Sequence, residues 1–132
     1  MTDTKETILL LDDDRFLLDM YSSKFMQAGY TVEACQSTKE ALDALRGGLK
    51  PAAILFDLVM PQQDGFAFLS AVKAEKLGTG AALIALTNQS NDNDKQQAES
   101  LGATRYVVKA TMIPSEVVNM AKEEIAKRGT KA

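Results

Sequence analysis

Asp12, Asp57, Thr87 and Lys109 each stand at the end of an apolar run, and Asp13 and Asp14 extend the first of these positions into three consecutive carboxylates. Carboxylate oxygens are hard ligands for Mg2+, which needs only one or two of them and keeps waters that exchange for phosphate oxygens. An aspartate can also be the nucleophile of aspartyl-phosphate chemistry. Lys109 offers a compact cation for a carboxylate or a phosphoryl oxygen, and Thr87 a hydroxyl donor for the same oxygen. Phosphoryl transfer calls for a nucleophile, a metal and positive charge on the equatorial oxygens, and these residues supply that set together. Singly, each has a plainer role. Aspartate is a common loop residue and helix cap, and Asp14 fits the cap of the first helix. The acidic run also carries a cost, because two carboxylates ~4 Å apart at an effective dielectric near 20 repel by roughly 4 kcal/mol. Either the side chains fan apart into water or a cation lies among them.

The elements that must position these residues are legible from periodicity. Strand-length apolar runs recur as TILLL (7–11), YTVEA (30–34), AAILF (52–56), ALIAL (82–86) and RYVVK (105–109). Helical spacing fills the gaps. Residues 15–28 place Phe16, Leu17, Met20, Tyr21, Phe25 and Met26 on one broad face, with Gly29 as the stop. Ser37 and Glu40 form a capping-box pattern leading to Gly47-Gly48. Asp64 caps a helix running through Phe66, Phe68, Leu69 and Val72 to about Glu75. Residues 90–102 are polar and predict an exposed helix, and 115–128 set Val117, Val118, Met120, Ala121 and Ile125 among charges. Five β-α repeats, three of whose strands are almost wholly apolar, predict an α/β fold, a doubly wound five-stranded parallel sheet covered on both faces. Such sheets bind ligands beyond the carboxyl ends of their strands, which is where the acidic run, Asp57, Thr87 and Lys109 fall.

Composition narrows the classes. The 132 residues suit a single domain over 1–132, with 45% hydrophobic and 25% charged residues. A net charge of −3 opposes nucleic-acid binding through a broad basic face. One cysteine, Cys35, excludes an internal disulfide, and the absence of histidine removes histidine triads and most zinc sites. The N-terminus MTDTKET has no signal-peptide pattern, and AAILF and AALIAL are far too short to cross a bilayer. A cytoplasmic protein with no membrane partner is the expectation.

The stretches LLLDDD, ILFDLVMPQQDGF, ALTN and YVVKA resemble those of the response-regulator receiver domain, the flavodoxin-like (CheY-like) partner of histidine kinases in two-component signalling. The resemblance runs over essentially the whole chain, and Asp57 followed by Met60-Pro61 and Asp64-Gly65 is its most specific part. It implies a phosphoprotein switch. Asp57 would be the phosphoacceptor, Asp13 a direct Mg2+ ligand, Asp12 a ligand largely through water, and the Val59 backbone carbonyl a further ligand. Lys109 would contact the phosphoryl group, and Thr87 would move to hydrogen-bond it while Tyr106 turns inward. That motion repacks the face made by the fourth helix, fifth strand and fifth helix. The phosphodonor would be a histidine kinase or histidine phosphotransfer protein, and the effector a protein of unknown identity. The chain would catalyse only its own phosphorylation and dephosphorylation, and so is not expected to be an enzyme with an independent substrate.

Three positions depart from the family pattern. Ala110 replaces a proline that commonly follows a cis peptide, which predicts a trans peptide and a differently aimed Lys109. Asn88 replaces a small residue and could partly cover Asp57, and Gln63 replaces an apolar one. Val59, Asn88 and Gln89 are the positions expected to set access and phosphoryl lifetime. These departures keep a second reading open, a pseudo-receiver that binds partners constitutively. A phosphohydrolase for small molecules ranks last, since the chain has no room for a substrate cap.

Overall fold

The computed structural model describes residues 6–60, 63–88 and 91–129. Five parallel strands, β1 (Thr7–Leu11), β2 (Thr31–Cys35), β3 (Ala53–Asp57), β4 (Ala82–Thr87) and β5 (Arg105–Val108), form one sheet. Its spatial order is β2-β1-β3-β4-β5, so the chain runs outward from β1 to one edge and then returns past it. Helices α1 (Arg15–Gln27), α2 (Thr38–Arg46), α3 (Gly65–Ala74), α4 (Asp92–Ser100) and α5 (Pro114–Gly129) connect and follow the strands.

The period of two along the strands builds two cores. Leu9, Leu11, Ile54 and Phe56 face the layer that contains Leu45, Phe68, Leu69 and Val72 of α2 and α3. Ile8, Leu10, Ala53 and Leu55 face the opposite layer, with Leu18, Tyr21 and Phe25 of α1 and Val117 and Ala121 of α5. β3 is buried at all five positions, as a central strand covered on both faces must be. Each fully buried Leu or Ile contributes about 1.5–3 kcal/mol. The sheet interior is therefore what holds the acidic strand ends in place.

Local signals place the helix starts. The Asp14 side chain accepts from the Phe16 and Leu17 amides, and Asp64 accepts from Phe66 N–H. Ser37 Oγ accepts from Glu40 N–H, while Glu40 Oε1 accepts from the Gln36 amide, one residue before the cap itself.

Several boundaries and faces differ from expectation. β2 starts and ends one residue later than 30–34, β3 lies at 53–57 instead of 52–56, and β5 ends at Val108. In α1, Phe16 and Met26 are 71% and 57% exposed, and Leu18 takes a core position instead. The face that α1 buries is narrower than its apolar content, because only the side toward β1, β2 and α5 finds a partner. A short antiparallel ladder, Val59–Met60 with Gln63–Asp64, follows β3 and was not anticipated.

Candidate functional site

Strand register brings the candidate residues to one end of the sheet. Leu11 pairs with Phe56, Asp57 with Leu86, and Thr87 with Val108. Asp12, Asp57, Thr87 and Lys109 consequently emerge side by side where β1, β3, β4 and β5 finish. Asp12 and Asp57 are only 1% and 2% exposed, and Thr87 is also buried. Asp13 is half-buried at the same corner.

Lys109 is the cation among the carboxylates. Its Nζ donates to Asp12 Oδ2 at 2.8 Å and to Asp57 Oδ2 at 3.2 Å. The remaining oxygens are occupied by backbone, since Asp12 Oδ1 accepts from Asp14 N–H at 2.9 Å and Asp57 Oδ1 from Val59 N–H at 3.2 Å. Arg15, the only basic residue beside the acidic run in sequence, engages Asp19 and Gln36 instead. The Lys109–Ala110 peptide is trans, and Lys109 reaches both carboxylates. After β5 the chain turns through a 3-10 segment, Lys109–Thr111, in which Thr111 Oγ1 donates to the Val108 carbonyl.

One ammonium does not neutralise three carboxylates. Carboxylate oxygens of Asp12, Asp13 and Asp57 lie within 4.8 Å of one another, a grouping able to hold a metal ion. Burial above all, with the Asp12 charge adding to it, raises the Asp57 carboxyl to about 6 despite the nearby Lys109 charge. For Lys109, burial works against the charged form, but the hydrogen bond to Asp12 and the charges of Asp57 and Asp12 outweigh it. The ammonium is held above its ordinary value. The cluster is thus short of positive charge and short of water, the condition under which a dication is most strongly drawn.

Around this centre, Val59 is 62% exposed two residues after Asp57, and Asn88 is exposed directly after Thr87. Gln89 lies outside the described residues, as does the side chain of Gln63. Tyr106 is half-buried on β5, and its hydroxyl donates at 3.4 Å to the carbonyl of Asn91. Asn91 is the N-cap of α4, with its side chain accepting from Asp94 N–H. That link between β5 and the start of α4 was not read from sequence, because the two residues lie on different elements and only the fold brings them together.

This fold and this site coincide with a family match over residues 8–122, to the response regulator receiver domain, and the chain belongs to that family. Its structure resembles a CheY-like receiver domain protein of Methanospirillum hungatei, with a TM-score of 0.88 at 22% identity over 98% of this chain and 100% of that one. It also resembles the chemotaxis response regulator CheY4 of Vibrio cholerae, with a TM-score of 0.80 at 28% identity over 92% and 99% of the two chains. In sequence it is 30% identical to an uncharacterized 14.6 kDa protein of Leptolyngbya boryana over 88% of this chain and 87% of that one. It is 31% identical to the response regulator SaeR of Staphylococcus aureus over 84% of this chain, which spans only 46% of SaeR. Among the described residues no helix is long and apolar enough to cross a membrane.

Proposed function

We propose that the chain is a phosphorylation-dependent switch in two-component signalling, with Asp57 as phosphoacceptor. The observation that carries this reading is the buried Asp12–Lys109–Asp57 arrangement, with Asp13 beside it, at the carboxyl ends of β1, β3 and β5. Asp57 Oδ would attack phosphorus as the bond from phosphorus to the phosphohistidine nitrogen, or to the leaving oxygen of acetyl phosphate, breaks. The leaving group departs with that electron pair. A carboxyl near 6 is largely ionised at neutral pH and so is available as a nucleophile. Lys109 would move from pairing two carboxylates to pairing a phosphoryl oxygen, and the Thr87 hydroxyl would donate to another.

Asp12, Asp13 and Asp57 fit Mg2+, with the Val59 carbonyl as a further ligand. Bound there, the ion would neutralise charge on the phosphoryl oxygens in transfer. The phosphodonor is a histidine kinase or histidine phosphotransfer protein, the setting cytoplasmic, and the output an effector protein docking on α4, β5 and α5. Tyr106 lies in that face, and its bond to Asn91 gives the switch a contact to break or remake.

Incubation with acetyl phosphate and Mg2+, followed by intact-mass spectrometry, tests the reading. One phosphoryl adduct is expected, absent in Asp57→Asn. No adduct on the parent protein, or equal labelling of the variant, overturns it. The second reading, a constitutive interaction module, draws on Asn88 and Ala110, while the intact acidic cluster and Lys109 oppose it. Effector affinity that is unchanged by beryllofluoride, an acyl-phosphate mimic, would favour that module.

A further inference from the structure

The pole opposite the acidic cleft, where β3, β4 and β5 begin, carries two neighbouring cavities. One of about 380 Å³ is walled by Leu45, Leu49 and Leu77, with Lys50 and Lys76 at its edge. The other, about 280 Å³, is walled by Val72, Leu77, Leu83 and Leu101, with Lys73 and Lys76 at its edge. Residues 76–79 line both, so this one loop is the partition between them.

The partition has an unusual backbone. Leu77 N–H donates to the Val72 carbonyl and Lys76 N–H to the Lys73 carbonyl, the paired bonds that end a helix with one residue in the left-handed region. That residue is Lys76, at φ 55°, the only described non-glycine residue with positive φ. Glycine is the usual occupant there, because a Cβ in this conformation crowds the neighbouring carbonyl oxygen. Gly78 and Gly80 supply two further positive φ values within the next four residues. The chain thus bears a backbone cost at a position that puts a lysine on the rim of both cavities.

The linings of the two cavities hold Lys50, Lys73 and Lys76 and no acid, against a net charge of −3 for the whole chain. Lys50 and Lys76 form no ion pair among the described residues, and Lys73 Nζ donates to the Ser100 carbonyl, not to a carboxylate. The neighbouring acid, Glu75, is held by Arg46 through two bonds of 2.8 and 2.6 Å. We propose that this pole is a docking surface for an acidic segment of a protein partner, which seats an aliphatic side chain in each cavity astride Leu77 and sets carboxylates against Lys50, Lys73 and Lys76. The aliphatic walls favour a peptide over nucleic acid. The large exposed apolar residues that would enter a membrane, Phe16, Met26, Val59 and Ile113, do not line either cavity. A partner bound here leaves the acidic cleft open, so docking and phosphorylation can proceed on one molecule together.

Amide chemical shifts of the full chain, followed by NMR during titration, test this. The probes are three glutamate-rich peptides with two leucines two, three or four positions apart, their lysine-for-glutamate counterparts, phosphatidylglycerol vesicles and a short DNA duplex. At least one acidic peptide is expected to give saturable shifts at Lys50, Leu77, Gly78 and Gly102. The Lys50→Glu/Lys76→Glu double variant should bind it about tenfold more weakly, with an unchanged melting curve and unchanged phosphorylation of Asp57. No saturable shift at this pole with any acidic peptide overturns the proposal. So do equal shifts with the basic peptides, or shifts seen only with vesicles or DNA.

Discussion

Gly65 packs against the peptide that joins Asp57 to Leu58 so closely that a methyl group has no place there. A Cβ at residue 65 would lie 2.6 Å from Leu58 Cα and would overlap the Asp57 carbonyl oxygen. Gly65 N–H also donates to the Leu58 carbonyl at 3.0 Å. The Asp-Gly pair that marks the family therefore divides its work here, Asp64 capping α3 and Gly65 letting the helix approach the loop after Asp57. Gly65→Ala is expected to cost about 2 kcal/mol or more, because backbone and not a flexible side chain must yield. Urea denaturation measures the loss, and slower acetyl phosphate labelling of the folded fraction would report displaced Asp57.

Mg2+ should stabilise the protein, since folding is what gathers the three carboxylates. At ten times the dissociation constant the gain is about 1.4 kcal/mol, or roughly 5 °C in Tm for a domain of this size. Thermal melts with MgCl2 and with chelator measure it, and Asp13→Asn should abolish most of the shift. A parent protein with identical melts would reduce the acidic run to a polar corner.

The raised Asp57 carboxyl predicts a pH dependence in chelator. Its native value of about 6 lies above the ordinary 3.8, so between these values the folded state binds the proton more tightly than the unfolded chain. The charged carboxylate therefore destabilises fully above pH 6, and the penalty fades as pH falls toward 4. Asp57→Asn should stabilise metal-free protein by about 3 kcal/mol at pH 7 and by less than about 1 kcal/mol near pH 4. Denaturation midpoints across that range decide it. An equal effect at both pH values would point to packing, not charge.

Asn88→Ala is expected to speed phosphorylation severalfold by clearing the residue that follows Thr87 at the mouth of the site. Its exposure limits the change in stability to about 0.5 kcal/mol. Stopped-flow measurement with a small phosphodonor checks the rate, and an unchanged rate would remove Asn88 from the determinants of access.

Lys76→Gly should raise stability by about 0.5–1 kcal/mol, since glycine adopts φ 55° without the steric cost a lysine bears there. Urea midpoints of the pair of proteins measure it. No gain would mean that the lysine stem recovers the cost by packing along the cavity rim.

Much of this was legible before any coordinates. β1 occupies the expected 7–11, and Asp14, Ser37 and Asp64 all cap where the sequence places caps, because these signals act over a few residues. The gathering of Asp12, Asp57, Thr87 and Lys109 followed from topology, as parallel strands must all finish at one end. What escaped was decided by tertiary packing. The exposure of Phe16 and Met26 depends on which arc of α1 meets α5, and the Tyr106–Asn91 bond on how α4 leaves the sheet. Lys76 at a helix end carries no compositional signature, since lysine is an ordinary residue there in every respect but φ.

Lys109 lies 97 residues from Asp12 and 52 from Asp57 along the chain. On a ribosome, both carboxylates leave the exit tunnel well before the ammonium that pairs them. Half-made protein presents the two acidic residues without the lysine that pairs them, so the Asp12–Lys109–Asp57 arrangement exists only in molecules whose synthesis has passed Lys109.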